Sequence, residues 1–273
     1  MAAESVRRLP ADEPKRNVDT DGAESASMYE AVHAHPGGET TVARHAATAA
    51  RYGYEGLVVR TRAALAVDDE NAGDEQTNRR RDPTALADEY GIDVVDAVEV
   101  DADDPSQAAG TVGAARSTRT AVCVVGGDDR RNRFAVEDPR VDVLVRPTAG
   151  GGGFNHVLAK AARDNGVRVE FDLGPVLRAS GGDRVRALAD LRKLREIVTY
   201  YDAPHVVSAN PSSHLELRAP RELVAVAAEA GFDPEWVREG LREWGVVAAR
   251  NRERLSGDFI QPGVRRGRYE TER

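Results

Sequence analysis

The stretch 132–170, NRFAVEDPRVDVLVRPTAGGGGFNHVLAKAARDNGVRVE, decides the fold. It places an Asn-Arg pair, a short apolar strand (141–147), a four-glycine turn, an amphipathic helix and a second strand (167–174) in direct succession. Phe154, Val157, Leu158, Ala161 and Ala162 recur at i, i+3, i+4, i+7 and i+8, the single apolar stripe of a helix over 154–165. Strand, crossover helix and strand, with apolar strand cores, form the repeating unit of a parallel sheet covered by helices. Polar residues stand where the strands end, so the working surface is expected on one rim, with Asn132 and Arg133 exposed on it.

The same unit extends in both directions. Further strands are predicted at 29–35, 56–60, 93–102, 120–127 and 205–210, and helices at 39–52, 84–90, 184–201, 220–230 and 234–243. Another helix opens at Asp103, Asp104 or Pro105. The clearest helix is 184–201, where Val185, Leu188, Leu191, Leu194, Val198 and Tyr201 form the stripe. Seven strands alternating with helices suit an α/β fold of the (β/α) TIM-type barrel class. GVVAA (245–249) is the one candidate for an eighth strand. An open dinucleotide-binding sheet is the alternative, but the glycine run lacks the spaced G-x-G-x-x-G fingerprint. Residues 1–27 are polar and aperiodic and read as a disordered extension, 28–257 as the barrel, and 258–273 as an Arg-rich flexible tail. A charged loop carrying Arg79, Arg80 and Arg81 follows the second strand.

No apolar run approaches the roughly 20 residues that span a bilayer, and no secretory signal opens the chain, so a cytoplasmic protein with no membrane partner is expected. The lone Cys123, inside AVCVV, excludes an internal disulfide framework and reads as a buried core residue. Net charge is −8, yet only three of the 38 basic residues are lysines (Lys15, Lys160, Lys193), leaving 35 arginines. Abundant acids with almost no lysine indicate either a salt-loving organism or a GC-rich genome that exchanges Lys for Arg. In molar salt the Debye length is roughly 3 Å, so nucleic-acid affinity has to come from short-range contacts, which the planar guanidinium supplies. An acidic net charge therefore does not exclude an RNA partner.

His33-Ala34-His35 closes the first strand, and two histidines at i, i+2 on a strand point to one side and can share a metal. This H-x-H is the opening motif of the polymerase and histidinol phosphatase (PHP) family of phosphoesterases. Other strand ends supply Glu99, Asp172, Asn210 and His156, but HVVSANPSSH lacks the closing D-x-H. His33 and His35 are thus either weak metal candidates or solvated structural histidines. Gly150–Gly153, with Arg146 before and His156 and Lys160 after, is either a phosphate-binding turn at a helix start or a flexible loop. Arg130, Arg131 and Arg133 are either a phosphate clamp or a solvated face paired with nearby acids. Neither a Ser-His-Asp nor a Cys-His set can be assembled, so no catalytic residue is assigned.

NRFAVEDPRVDVLVRP, GGFNHVLAKAARDNGVRVEF, LGPVLRASGGDRVRAL and HVVSANPSSHLELRAPREL, in that order, resemble the archaeal ribonuclease P protein component 3 family, related to the thirty-kilodalton subunit of eukaryotic ribonuclease P. The resemblance spans about residues 28 to 255. It implies a PHP-like barrel that no longer hydrolyses phosphoesters. It also implies partnership with ribonuclease P protein component 2, other protein subunits, ribonuclease P RNA and precursor tRNA. The RNA carries the Mg²⁺ and frees the tRNA 5′ end, so no cofactor is expected on this chain. The family's Asn-Arg corresponds to Asn132 and Arg133, and its helix lysine to Lys160. Retention of His33-x-His35 is a departure. With the residues around the glycine turn, the expected RNA- or partner-binding set is Asn132, Arg133, Arg130, Arg146, Gly152, His156, Lys160 and Arg178. A PHP-type metal phosphoesterase and a barrel binding a small phosphorylated ligand remain the alternatives.

Overall fold

A computed structural model describes residues 27–61, 64–65, 82–101, 103–256, 259–261 and 264–265. The predicted extension, the Arg79–Arg81 loop and most of the tail lie outside the described residues. Seven strands, β1 (Tyr29–Val32), β2 (Gly56–Val59), β3 (Asp93–Val100), β4 (Ala121–Val125), β5 (Val143–Val145), β6 (Arg168–Asp172) and β7 (His205–Ser208), pair in parallel in chain order. The helices between them are α1 (Val42–Arg51), α2 (Pro83–Tyr90), α3 (Pro105–Arg116), α4 (Asp129–Glu137), α5 (His156–Asn165), α6 (Gly174–Arg178) and α7 (Gly181–Tyr200). After β7 come α8 (Pro220–Glu229) and α9 (Pro234–Leu255). Phe259–Gln261 then pairs antiparallel with Val264–Arg265, a short hairpin where the sequence predicts a flexible tail.

The continuous apolar strands are explained by burial on both faces. Ala31, Val58, Val95, Ala97, Ala121, Cys123, Val125, Val143, Val145 and Val206 fill the interior, Cys123 fully buried among them. Their sequence neighbours, such as Leu57, Val59, Val94, Val122, Val124, Leu144, Val169 and Val207, pack outward against the helices. This is the expected TIM-type barrel, with one correction. GVVAA is helical and belongs to α9, which runs on past the predicted end at 243. Trp244, Val247 and Ala248 join the interior cluster, and the Trp244 indole donates to the Val207 carbonyl at 3.0 Å. Two helix glycines permit this approach: a Cβ on Gly240 would meet Val207 at 2.5 Å, and one on Gly245 would meet the Tyr29 ring at 2.6 Å. An alternation of Gly and apolar residues that reads locally as strand is thus the contact face of a long helix.

No strand ladder joins β7 to β1 among the described residues; a buried carboxylate does. Glu30 accepts from Ala31 N (3.0 Å), Ala209 N (3.1 Å), Ser208 Oγ (2.6 Å) and Tyr54 OH (3.2 Å). Complete burial pushes its pKa up to about 7 even against these donors. At the opposite end from the expected rim, α9 crosses the strand starts. Arg252 grips Asp93 with two bonds of 2.8 Å, while Arg250 and Asn251 reach Asp142 at 2.7 and 2.8 Å. Asp142 also accepts from Arg116 and from the Val122 amide. With its N-terminal end closed in this way, the barrel keeps its C-terminal mouth for function, as (β/α) barrels do.

Candidate functional site

At the mouth, the sequence expectation of an exposed Asn-Arg pair divides into two fates. Asp128 caps a helix the sequence reading did not predict, accepting from the Arg130 and Arg131 amides, and α4 carries both residues. Asn132 points inward and is fully buried. Its Oδ1 accepts from Gly127 N at 3.1 Å, and its Nδ2 donates to Pro147 O at 2.8 Å and Gly153 O at 3.3 Å. One amide therefore clips the β4–α4 loop to both ends of the glycine turn. The turn itself lies so close that a Cβ on Gly152 would sit 2.5 Å from Gly127. The start of α5 is not an open phosphate site, because the Asn155 side chain already accepts from Val157 N and Leu158 N. Arg133 faces outward, its side chain 62% exposed and only 3.7 Å from Glu137.

The interior of the mouth holds an ion cluster. Arg60, just past β2 and fully buried, pairs with Glu170 through Nη2 and lies 3.5 Å from Glu99 through Nη1, its guanidinium 5.0 Å over the Trp244 ring. Arg146 pairs with Glu99, and its backbone N–H donates to Glu170 at 3.1 Å. His33 Nε2 meets Glu99 at 3.0 Å. Burial alone would raise Glu99, but the bond to His33 and the charges of Arg60, His33 and Arg146 outweigh it and hold the carboxyl at about 2. Asp172 moves the other way: burial and the neighbouring Glu170 charge push it up to about 6. Guanidinium groups thus balance the carboxylates at the strand ends.

The H-x-H expectation is corrected in its geometry. β1 ends at Val32, so His33 and His35 do not share a strand face; His33 turns in to Glu99 and His35 is exposed in the following turn. Among the described residues no three His, Cys, Asp or Glu side chains converge in a way that could hold a metal ion. Arg60 and Glu170 carry the centre of this cluster and were not singled out from sequence. The available signal was a charged residue ending or interrupting an apolar strand, in GLVVR and RVEFD.

Around this centre the remaining expected residues are spread along the rim. Arg130 is exposed, whereas Arg131 is tied to Asp128 at 2.6 Å and Asp101 at 3.0 Å. Arg178 is a clasp, donating to the carbonyls of Ala209 at 2.9 Å and Asn210 at 3.2 Å. His156 and Lys160 lie on the outer face of α5 beside Tyr201, the Lys160 ammonium 5.3 Å over its ring. The structure brings Arg146 and Gly152 together at one cleft and leaves His156 and Lys160 on a separate face. The cleft, about 640 Å³, lies between Gly150–Gly153 and the first half of α7. That half rises past the barrel: Leu191, Leu194 and Val198 are buried as the stripe predicts, but Val185 is 66% exposed. Arg146 (φ 51°) and Asn210 (φ 49°), at the ends of β5 and β7, hold left-handed backbone that side chains other than glycine rarely adopt.

Behind His33, the fully buried His45 makes no well-formed hydrogen bond through either ring nitrogen. Burial first, and the nearby His214 next, lower its pKa to about 4. The unfolded chain therefore takes up this proton near the ordinary histidine value of 6.5 and the folded chain only near 4, so stability is lost as pH falls through that window. Glu30 has the opposite slope from 4.5 to about 7. The difference between wild type and His45→Leu isolates the histidine: the unfolding free energy of the variant is expected to gain on that of wild type, by up to about 3 kcal/mol, between pH 6.5 and 4. Parallel pH profiles for the two proteins would show that His45 is not held neutral by the fold.

Residues 28–256 match the family model described as RNase P subunit p30. The chain is 74% identical over 243 residues to ribonuclease P protein component 3 of Halorubrum lacusprofundi, covering 89% of this chain and 99% of that protein. It is 61% identical over 238 residues to the component 3 protein of Haloarcula marismortui, covering 87% and 96%. Its fold is similar to a chain in the cryo-EM structure of archaeal ribonuclease P with mature tRNA, with a TM-score of 0.73 at 21% identity, covering 89% of this chain and 100% of that chain.

Proposed function

The chain belongs to the RNase P subunit p30 family, and on that premise we propose that its barrel mouth is a non-catalytic grip within the ribonuclease P holoenzyme. It is a protein subunit of that holoenzyme, which processes tRNA 5′ ends. The lysine-poor composition accords with its halophilic archaeal relatives. The observation that carries the reading is the ion cluster: Arg60 and Arg146 neutralise Glu99 and Glu170 where a phosphoesterase would gather ligands for a metal. The phosphoesterase alternative is not favoured.

In this reading the chain works in the cytoplasm; among its described residues no helix is long and apolar enough to cross a membrane. Ribonuclease P RNA, with its own Mg²⁺, cuts precursor tRNA. The chain, paired with component 2 and neighbouring the other subunits, shields backbone repulsion in the folded RNA. Arg130 and Arg133 are the rim cations placed to meet phosphate, since Arg131 is held by its acids and Asn132 by the glycine turn. Arg146, Gly152 and Arg178 position the rim from behind, while His156 and Lys160 present a second face to RNA or protein.

Affinity purification from the native organism should recover ribonuclease P RNA with the chain. In the reconstituted enzyme, Arg130→Ala/Arg133→Ala is expected to raise the Mg²⁺ concentration needed for half-maximal cleavage. It should also flatten the log-affinity against log-salt slope by about 2, close to one unit per lost phosphate contact. Unaltered Mg²⁺ and salt dependence would exclude these two contacts.

A further inference from the structure

We propose that the cleft between the glycine turn and α7 takes one unstacked guanosine of an RNA chain, base inward at Asp172 and phosphate outward at Lys193 and Arg186. This rests on the reading of the chain as a ribonuclease P subunit and names what one part of its mouth would hold. A volume of about 640 Å³ lies within the range of small-ligand sites, roughly 300–1,000 Å³. It is ample for a nucleotide and far more than a single protein side chain fills.

The inner wall is built around Asp172. Its Oδ1 accepts from Gly174 N at 2.7 Å and its Oδ2 from Asn210 Nδ2 at 3.1 Å. Each oxygen is thus fixed by one donor, and each retains a lone pair. A carboxylate held this way in the lining of the cleft has one acceptor site left on each oxygen. Guanine offers the matching pair of donors on its Watson–Crick edge, N1–H and the exocyclic amine, and unstacked RNA bases are read on that edge. Uracil has a single N–H there, between two carbonyl oxygens that the carboxylate would repel. The backbone strain at Arg146 and Asn210, on either side of Asp172, is of the kind that concentrates where a ligand is held.

The side walls suit a flat ring. Pro147, Ala149, Pro175, Ala187, Leu191 and Leu194 supply apolar surface on both sides. The same carboxylate could take a guanidinium, but the lip decides between them. Lys193, one of three lysines in the chain, is exposed on α7 and forms no ion pair among the described residues; Arg186, two turns earlier, is paired with Asp183, and the exposed Asp190 also lines the cleft. Asp183 and Asp190 offset the charge of these cations, so the lip discriminates by contact: Lys193 and Arg186 offer the phosphate of a guanosine a partner that an arginine side chain lacks.

Titration of the full-length protein with 5′-GMP, guanosine, 5′-UMP and argininamide, followed by NMR on the amides of Gly150–Gly153, tests this directly. Saturable 5′-GMP shifts are expected, with affinity about tenfold or more above that for 5′-UMP. Asp172→Asn should abolish that preference, because an amide nitrogen would then face the base donors. Lys193→Ala, at an exposed position that does not endanger folding, should weaken 5′-GMP but leave guanosine unchanged. Equal binding of 5′-GMP and 5′-UMP, preference for argininamide, or no binding at all would each overturn the proposal. Should Asp172→Asn fail to fold, the nucleotide comparison and Lys193→Ala still decide. None of these outcomes bears on recovery of ribonuclease P RNA with the chain, so failure here is distinct from failure of the subunit reading.

Discussion

Arg60→Met is expected to lower folding stability by about 3–5 kcal/mol, the usual cost of removing one partner from a buried ion pair. Methionine keeps much of the volume against Trp244 but leaves Glu170, fully buried, without its guanidinium. What remains to Glu170 is the Arg146 backbone N–H at 3.1 Å, too little to hold a desolvated charge. Glu99 is less affected, because Arg146 and His33 still bind it. Denaturant unfolding at high salt would measure the loss; salt does little to a fully buried pair, so the effect should persist there. The double variant Arg60→Met/Glu170→Leu should recover most of it, since a buried pair is often replaceable by apolar side chains. A single-variant cost below about 1 kcal/mol would mean that Arg60 does not organise the mouth.

The barrel was legible because its signal is local. Strands such as AVCVV are apolar on both faces, and Asp104, one of the residues offered as opening the third helix, is its N-cap, the side chain accepting the Ser106 N–H. What escaped depends on contacts distant in sequence. Nothing in DRRNRFAVE shows that Asn132 would be needed by Pro147 and Gly153, so a polar residue read as exposed is as fully buried as Ala135 and Val136 of the same helix. The stripe of α7 predicts burial of Val185 as firmly as that of Leu191. Only the height of the barrel wall, a tertiary quantity, leaves the first exposed and the second covered. Arg60 is the extreme case. An arginine at a strand end is ordinarily a solvated residue, and its burial follows from two carboxylates on other strands and one indole from α9.

That indole carries the second large effect. Trp244→Ala is expected to cost about 3–5 kcal/mol, the range for deleting a large buried aromatic side chain. Trp244 is 1% exposed and fills the barrel interior where an eighth strand would otherwise close the wall. Its loss opens a cavity beneath Arg60 and leaves the Val207 carbonyl without the indole donor. Trp244→Phe keeps one aromatic ring in the interior while removing the hydrogen bond and the second ring, so a smaller loss of about 1–3 kcal/mol is expected. Because α9 lies at the strand starts and in the interior, neither variant touches the rim cations. Reconstituted enzyme carrying Trp244→Phe, assayed well below its unfolding midpoint, should therefore keep the wild-type Mg²⁺ requirement while losing thermal tolerance. A raised Mg²⁺ requirement in that variant, with the protein still folded, would show that the interior and the rim are mechanically coupled. The grip on RNA would then have to be assigned to the whole barrel rather than to Arg130 and Arg133.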